Sequence, residues 1–285
     1  MGTVYLNGEF MPVHEARIPV MDRAFLFGDA VYEVLPVFAG KLFAVDEHLQ
    51  RLERSLAEVR MSNPLSREAW RAVFERLVSE AGGGHLSVYL QVSRGVAPAR
   101  DHPFPSDAVP TVFAMANPVK TTLMSIDDLK PITAVLCEDT RWHRCDIKST
   151  ALLANVLLKQ QAADAGAYEA ILVRDDHALE GAASNLFVVL DGVVRTAPSS
   201  PLILGGITRN VLLRVAPEAG IACREEAVTT FELARASEIW MTSSTREIMP
   251  VTQLDGKPVG DGSIGPVCRQ IAAAYLAHKH AFMQG

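Results

Sequence analysis

The stretch "CDIKSTALLANVLL", residues 145–158, places a single lysine, Lys148, in front of a nearly all-apolar segment. Ser and Thr commonly begin helices, and the apolar run that starts at Thr150 ends at Gly166, so the sequence predicts a helix from Thr150 to Ala165. Lysine is rarely buried in proteins. Taken alone, the stretch therefore indicates a solvated charge just outside a helix start.

The length and composition of the chain limit its class. With 285 residues and 49% hydrophobic side chains it can form one large core or two smaller ones, and we predict two domains. The formal net charge is -6, and acidic and basic residues are interspersed without a basic run. Nucleic acid and anionic membranes are therefore not predicted as partners, and a small-molecule ligand is expected.

Neither a disulfide framework nor a metal site is predicted. The four cysteines are far apart in the sequence and form no CxxC pair. The N-terminal residues lack a basic segment followed by an apolar run, and no apolar stretch approaches ~20 residues, the length of a membrane-spanning helix. We therefore expect neither export nor membrane insertion, and a cytoplasmic location.

The first part of the chain mixes strands and helices. Alternating or β-branched runs predict strands at "TVYLNGEF", which contains an Asn7-Gly8 hairpin turn, at "AVYEVLPVF" and at "HLSVYLQVS". Apolar residues spaced by three and four predict one helix between Asp46 and Met61 and a second that begins at Ser66. The Pro-rich segment "GVAPARDHPFPSDAVP" predicts a long loop of the kind that is functional or mobile.

The second part alternates strands with helices and predicts an α/β domain. We predict a small N-terminal α+β domain over residues 1–118, an interdomain linker over 119–125 and a larger C-terminal α/β domain over 126–285.

Lysine becomes catalytic when it forms a Schiff base, which requires a carbonyl cofactor together with groups that bind it. "ILGGITRN" places two glycines before a predicted helix, and backbone N–H groups at such a helix start suit a phosphate, although this pattern is more often only a turn. "ALEGAASNLF" places Glu180 before a run of small residues. Its carboxylate could bind a pyridine nitrogen, or it could be an ordinary acidic turn residue.

The combination of motifs resembles the class IV, or fold type IV, pyridoxal-phosphate aminotransferases. "DRAFLFGDAVYEV", "EHLQRL", "RWHRCDIKST", "EGAASNLF", "GGITRN" and "TSSTRE" follow one another in the order and at the separations of that family, and the similarity covers nearly the whole chain. The resemblance implies a two-domain α/β fold, pyridoxal 5'-phosphate as cofactor, and a homodimer with an active site at the domain boundary that is partly shared between subunits.

The resemblance also implies roles for individual residues. Lys148 is the expected Schiff-base lysine, Glu180 the expected partner of the pyridine nitrogen, and Arg141 the residue near the phenolic oxygen. Further cofactor-binding residues, several of them around the phosphate, are expected to be Arg51, Ser184, Asn185, Leu204, Ile207, Thr208, Ser244 and Thr245.

Within the family, the D-amino-acid transaminases bind the substrate α-carboxylate with a tyrosine, an arginine and a histidine. Tyr32 in "GDAVYEV" and Arg100 and His102 in "PARDHPF" resemble these residues, although the loop before Arg100 is one residue longer than in that subgroup. A planar arginine with two further donors matches a carboxylate. No segment resembles the carboxylate-binding motif of the branched-chain enzymes.

The resemblance therefore predicts transamination of a D-amino acid with 2-oxoglutarate or pyruvate, in two half-reactions with Lys148 as the proton shuttle. Alternatives within the family are a branched-chain L-amino acid aminotransferase, an (R)-amine transaminase and an aminodeoxychorismate lyase. A non-enzymatic cofactor-binding protein is disfavoured because binding alone requires neither Lys148 nor Glu180.

Overall fold

The computed structural model describes residues 2–120 and 122–285. These residues form two compact units, one made of residues 2–120 with Ile147–Leu152 and the other of residues 122–146 with Leu153–Gly285. The predicted linker 119–125 includes Thr121, which lies outside the described residues. The segment Ile147–Leu152 belongs to the first unit although the sequence analysis placed it in the larger domain. The predicted domain boundaries stay a prediction.

The described part of the first unit contains a six-stranded sheet in the order β2-β1-β6-β5-β3-β4 and three helices. In chain order the elements are β1 (Thr3–Leu6), β2 (Glu9–Pro12), α1 (Arg23–Phe27), β3 (Ala30–Phe38), β4 (Lys41–Leu42), α2 (Val45–Glu58), α3 (Arg67–Glu80), β5 (Leu86–Ser93) and β6 (Thr111–Pro118).

The predicted turns and caps of this unit are observed. Asn7 and Gly8 both have positive φ at the β1–β2 turn, and the Ser66 hydroxyl accepts a hydrogen bond from the Ala69 amide at the start of α3. Helices α2 and α3 bury their apolar faces in the core of this unit, where Leu52 and Trp70 have no exposed surface. The strongly hydrophobic strands β3 and β5 also contribute to this core.

The described part of the second unit contains a ten-stranded sheet in which β12, β11, β10, β14, β15, β7, β8, β9 and β13 follow one another and β16 pairs with β15. Its elements are β7 (Ile132–Glu138), α4 (Leu153–Asp164), β8 (Glu169–Arg174), β9 (His177–Gly181), β10 (Asn185–Leu190), β11 (Val193–Thr196), α5 (Ile207–Val215), β12 (Cys223–Glu225), β13 (Val228–Thr229), α6 (Thr230–Leu233), β14 (Glu238–Ser243), β15 (Glu247–Leu254), β16 (Lys257–Pro258) and α7 (Pro266–Gln284).

The helix predicted from Thr150 begins later, at Leu153. The Thr150 amide donates to the Ala30 carbonyl at 2.9 Å, and Ser149 forms a bridge with Val31. The bridge requires an extended backbone, which differs from the backbone conformation of a helical turn, so the prediction of the helix start was wrong. In the described part of the chain, no helix combines the length and the apolar character that crossing a membrane requires.

Candidate active site

Lys148 lies on an extended segment that pairs with β3. Its carbonyl oxygen accepts a hydrogen bond of 2.9 Å from the Tyr32 amide, and its own amide donates to Ser55 Oγ at 3.3 Å. The preceding residue, Ile147, is buried in the core of the first unit. The backbone of Lys148 is therefore fixed from both sides, and the freedom that remains is that of its side chain.

The Lys148 ammonium has an aromatic neighbour, the Tyr32 ring. Nζ lies 4.0 Å from the centre of the Tyr32 ring, which is a cation–π contact. Across residues 2–120 and 122–285, no ion pair involves this ammonium, and the side chain is half-buried. An amine that is not tied to a carboxylate is suited to attack a carbonyl carbon.

Arg51 lies in a buried cluster with Glu33 and His48. Its Nε and Nη2 atoms donate to the two carboxylate oxygens of Glu33, each at 2.8 Å. His48 Nδ1 lies 2.8 Å from Glu33 Oε2, and Glu33 and His48 have no exposed surface. Because two planar groups meet edge to edge, this pair holds the Arg51 guanidinium in one orientation.

The charges in this cluster follow from its burial. Burial alone would raise the pKa of Glu33, but the Arg51 guanidinium and the His48 bond hold it well below its ordinary value. Burial lowers the pKa of His48, which favours a neutral ring although Glu33 opposes this. Within the described residues, His48 Nε2 is buried and has no hydrogen-bond partner. If Nδ1 carries the proton, Nε2 presents a lone pair to its surroundings.

The three predicted carboxylate-binding residues occupy two places in the first unit. Tyr32 lies on β3 with its ring centroid 5.8 Å from that of Tyr89, whose pKa burial raises to about 12. Arg100 and His102 lie on the exposed loop after β5, where both contact the Phe27 ring at 5.0 Å and 5.4 Å. In the part of the chain that is described, no hydrogen bond or ring contact joins Tyr32 to this loop.

Glu180, near the end of β9, is a buried carboxylate in the second unit. Its Oε1 atom accepts a hydrogen bond from Arg141 Nη1, and Oε2 accepts from Asn185 Nδ2 at 3.0 Å and from the Leu204 amide at 3.1 Å. Burial raises the pKa of Glu180 to about 7, against the opposing effects of the Arg141 guanidinium and the Leu204 amide.

Arg141 is the second charged residue of this group. It also donates to both carboxylate oxygens of Asp139, at 2.8 Å and 3.1 Å. Burial would lower the pKa of Arg141, but Asp139 and Glu180 together raise it, so the guanidinium stays charged. The structure thus brings together Glu180, Arg141, Asn185 and Leu204 from the predicted set.

Asn185 packs closely against the residues that precede α5. Asn185 Nδ2 also donates to the Leu204 carbonyl at 2.8 Å, so both backbone groups of Leu204 are bound. A Cβ atom added to Gly206 would lie 1.9 Å from Asn185 Oδ1, so no larger residue fits there without movement. Glycine at this position allows the backbone to approach the asparagine closely.

Ile207 and Thr208 are the first two residues of α5 and are both buried. The preceding residue, Gly206, provides no side-chain cap, and the first turn contains no acidic residue. The N–H groups at this end of the helix and the positive end of its dipole are thus not neutralised by a side chain, which is the arrangement that binds phosphate.

Ser244 and Thr245 form the turn between β14 and β15, both half-buried. Beside this turn, Thr242 pairs with Asn185 across neighbouring strands. The Thr242 hydroxyl is buried and has no hydrogen-bond partner among the described residues. A buried unsatisfied hydroxyl indicates a ligand or a water molecule.

Ser184 differs from the other predicted residues because its hydroxyl is already used. It donates to Glu169 Oε2 at 3.1 Å, and the side chain is buried. The Gly181 amide donates to the Ser184 carbonyl at 2.6 Å. Ser184 thereby closes the turn of small residues between β9 and β10.

The sequence analysis missed Glu33, His48 and Asp139, which hold the predicted residues Arg51 and Arg141. The only sequence signal for His48 was its position three residues before Arg51, which places both on one face of α2. No comparable signal exists for Glu33, because its contact with Arg51 depends on how α2 packs against β3.

Comparisons with known proteins identify the family of the chain. The sequence profile of the family "Amino-transferase class IV" matches residues 30–254. The chain is 40% identical to a D-alanine aminotransferase of Bacillus licheniformis over 271 residues, which covers 95% of each chain. It is also 40% identical to a D-alanine aminotransferase of Staphylococcus haemolyticus, over 96% of this chain and 97% of the relative.

Solved structures show the same fold. The crystal structure of a branched-chain amino acid aminotransferase of Escherichia coli superposes with a TM-score of 0.88 at 26% identity, covering 97% of this chain and 94% of that one. A second branched-chain amino acid aminotransferase, from T.th. and complexed with N-(5'-phosphopyridoxyl)-L-glutamate, gives a TM-score of 0.87 at 26% identity, covering 96% and 92%.

The protein has the α/β fold of the fold type IV enzymes, as predicted. The chain belongs to the class IV aminotransferases, and it is a pyridoxal-phosphate-dependent enzyme. The residues present fit this cofactor. Among the described residues, the first unit contains an amine without an ion pair, that of Lys148, and the second unit contains the buried Glu180 carboxylate and the uncapped start of α5. An aldehyde, a ring nitrogen and a phosphate are bound by groups of these three kinds.

Proposed function

We propose that this protein transfers the amino group of a D-amino acid, with D-alanine as the first candidate, to a 2-oxo acid such as 2-oxoglutarate or pyruvate. The observation that carries the proposal is the 40% identity to D-alanine aminotransferases over nearly the whole chain, compared with 26% for the branched-chain enzymes of the same fold. The exposed pair of Arg100 and His102 supports it because both residues can donate to a carboxylate.

We assign the acid–base role to Lys148. Bound pyridoxal phosphate supplies an aldehyde carbon for an amine and a ring that withdraws electrons from the substrate α-carbon. In one half-reaction the Lys148 amine removes the α-proton and later returns a proton, and in the other half-reaction it carries out the same steps in reverse. Its fixed backbone supports this role, because the amine then moves only over the length of its own side chain.

Glu180 is proposed to stabilise positive charge on the ring nitrogen. Asn185 and the Leu204 amide orient its Oε2 atom, and Arg141 binds Oε1. Arg141 was predicted to lie near the phenolic oxygen of the cofactor. Its observed partners favour a role through Glu180 instead, since its guanidinium is shared between Glu180 and Asp139.

The phosphate is proposed to bind to residues with uncommitted donors or positive charge. The N–H groups of Ile207 and Thr208 and the hydroxyls in the turn of Ser244 and Thr245 are donors, and Arg51, oriented by Glu33, contributes charge. Ser184 contributes by closing the turn that follows Glu180.

We propose that the active protein is a homodimer. In it, Arg100 and His102 of one protomer bind the substrate carboxylate together with Tyr32 of the other protomer. This accounts for the separation of Tyr32 from that loop. Helix α4 supports a dimer, because Leu153, Val156 and Leu157 lie on one face of it and are 72%, 60% and 61% exposed. Light scattering of wild type and Leu157→Glu tests this, and we expect a dimer and a monomer respectively.

A cytoplasmic location is proposed as well. All four cysteines lie in the described part of the chain and are free thiols, as is usual in a reducing compartment. Cell fractionation with an antibody to the protein tests this proposal.

A screen of D- and L-amino acids against 2-oxoglutarate and pyruvate tests the proposed activity directly. We expect D-alanine to be consumed together with the 2-oxo acid. Preference for L-leucine or L-valine would instead support a branched-chain enzyme, and amino transfer from an (R)-amine without a carboxylate would support an amine transaminase. Turnover of aminodeoxychorismate without any 2-oxo acid would indicate a lyase.

A further inference from the structure

The loop from Gly95 to Pro110, which carries Arg100 and His102, is tied closely at its base. Gly95 has φ +98°, and a Cβ atom added there would lie 1.9 Å from the Val109 carbonyl oxygen, so the two ends of the loop cross where only glycine fits. The Ala97 amide donates to the Met21 carbonyl at 3.2 Å, which links the loop to the chain just before α1.

One buried side chain, that of Arg23, binds the backbone carbonyls in the middle of the loop. Its Nη1 atom donates to the carbonyls of Asp101 at 2.7 Å and Pro103 at 3.3 Å, and Nη2 donates to the His102 carbonyl at 3.0 Å. Three consecutive carbonyls of an exposed loop thus meet one guanidinium, which is only 4% exposed. A planar fork of fixed geometry can satisfy such a row, whereas a flexible ammonium cannot.

Arg23 is itself held by Asp29. Its Nε atom donates to Asp29 Oδ2 at 2.8 Å, and Arg94 donates to both oxygens of the same carboxylate at 2.8 Å and 3.0 Å. The Phe104 ring, which follows the bound carbonyls, lies on Arg94 with 3.6 Å between Cζ and the ring centroid. Asp29 therefore connects two arginines, and each of them contacts the loop.

We propose that Arg23 is a positioning residue that fixes the loop of Arg100 and His102 and thereby sets the affinity of the enzyme for the substrate carboxylate. This inference rests on the proposed function, in which those two side chains bind the carboxylate. Arg100 and His102 are exposed, so their own contacts with Phe27 cannot fix the backbone that carries them. With the backbone bound by Arg23, less conformational freedom is lost when the substrate binds.

The test compares Arg23→Gln and Arg23→Lys with the control Arg17→Gln in the full-length protein with bound cofactor. Arg17 is an exposed arginine that also donates to backbone carbonyls, those of His14 and Ala16, outside this loop. Asp29 keeps its two hydrogen bonds from Arg94 in either Arg23 variant, so no buried carboxylate is left unpaired and the fold is retained.

Two measurements are made on each variant. In hydrogen–deuterium exchange, we expect the amides of Asp101 and His102, which are hydrogen-bonded within the loop, to exchange about tenfold faster in Arg23→Gln and at the wild-type rate in Arg17→Gln. In steady-state kinetics with D-alanine, we expect its KM to rise about tenfold while kcat changes less than about threefold, as for a loss of binding without loss of chemistry. Arg23→Lys, which keeps the charge but not the fork, is expected to lie between wild type and Arg23→Gln.

The outcomes separate the inference from the proposed function. Unchanged exchange at the Asp101 and His102 amides would overturn the structural role of Arg23, and faster exchange with an unchanged KM would overturn its role in carboxylate binding. A loss of kcat equal to the rise in KM would point to general damage and also count against the inference. A wild-type enzyme that does not accept D-amino acids would contradict the proposed function itself.

Discussion

The carbonyl oxygen of Lys148 and the amide of Tyr32 share a hydrogen bond of 2.9 Å, and the Lys148 ammonium lies 4.0 Å from the centre of the Tyr32 ring. The proposed acid–base residue and a proposed carboxylate-binding residue are therefore joined through both backbone and side chain. Since Tyr32 lies on β3 and pairs with Gln91 of β5, it gives the lysine a rigid support. The lysine side chain is thus the part of this pair that is free to move.

Lys148 is expected to carry the cofactor covalently. Borohydride reduction of the cofactor-loaded protein followed by peptide mapping should place the pyridoxyl label on Lys148. Lys148→Ala should lower turnover by at least ~10²- to 10⁴-fold, the usual contribution of a positioned acid–base group. Lys159, which lies on α4 and pairs with Glu169, is the control lysine. A label on Lys159 or on any other lysine would contradict the assignment.

Glu180→Gln is expected to keep the fold and the bound cofactor but to slow proton removal. The amide has the size of the carboxylate and can still accept the Leu204 hydrogen bond, yet it cannot balance a positive charge on the ring nitrogen. Single-turnover measurements with D-alanine report this step. An unchanged half-reaction rate would show that Glu180 does not act on the ring nitrogen.

The titration of Glu180 predicts a pH dependence of stability in the cofactor-free protein. Burial raises its pKa to about 7 from 4.5, so the folded state binds more protons than the unfolded state between those values. The contribution of Glu180 to stability is thus fully present below pH 4.5 and is lost as the pH rises through 7.

Glutamine does not titrate, which makes Glu180→Gln the reference for this effect. We expect the free energy of unfolding of wild type to fall relative to that of the variant as the pH increases across this range. Urea unfolding at a series of pH values measures the difference, and a difference that is independent of pH would show that the pKa is not raised.

Glu33→Gln should destabilise the protein and weaken cofactor binding. The amide can accept one hydrogen bond from Arg51 but lacks the negative charge and the second acceptor oxygen, and breaking such a buried pair costs about 3–5 kcal/mol in the free energy of unfolding. Glu53→Gln, which breaks an exposed pair with Arg67, is the matched control and should have little effect. Urea unfolding and titration of the cofactor-free protein with pyridoxal phosphate measure both quantities. Equal effects of the two substitutions would contradict this prediction.

Arg100→Ala is expected to raise the KM for D-amino acids by ~10- to 200-fold, the equivalent of about 1.5–3 kcal/mol for a charged hydrogen bond. The absorbance spectrum of the bound cofactor should not change, because Arg100 is not proposed to contact it. Arg224→Ala, at an exposed position on β12, serves as a control. Unaltered kinetics with D-alanine would show that the carboxylate is bound elsewhere.

Much of the fold could be predicted from local sequence. The Asn7-Gly8 turn, the Ser66 cap and the spacing of apolar residues in α2 and α3 each act within a few residues, so they are visible without the tertiary structure. The roles of Lys148 and Glu180 were predicted differently, from the resemblance of the combined motifs to a family, and they stay predictions. The motifs pointed to the family, which the comparisons then showed.

Only the tertiary structure decided which hydrogen-bond partners the buried and site residues have. The helix after Lys148 begins at Leu153 because Ser149 and Thr150 bond to β3, more than a hundred residues earlier in the chain. Arg51 meets Glu33, and Arg23 meets the carbonyls around His102, through contacts between distant segments. Local patterns report backbone propensity and the direction of burial, whereas the pairing of a buried charge depends on which segments the fold places side by side.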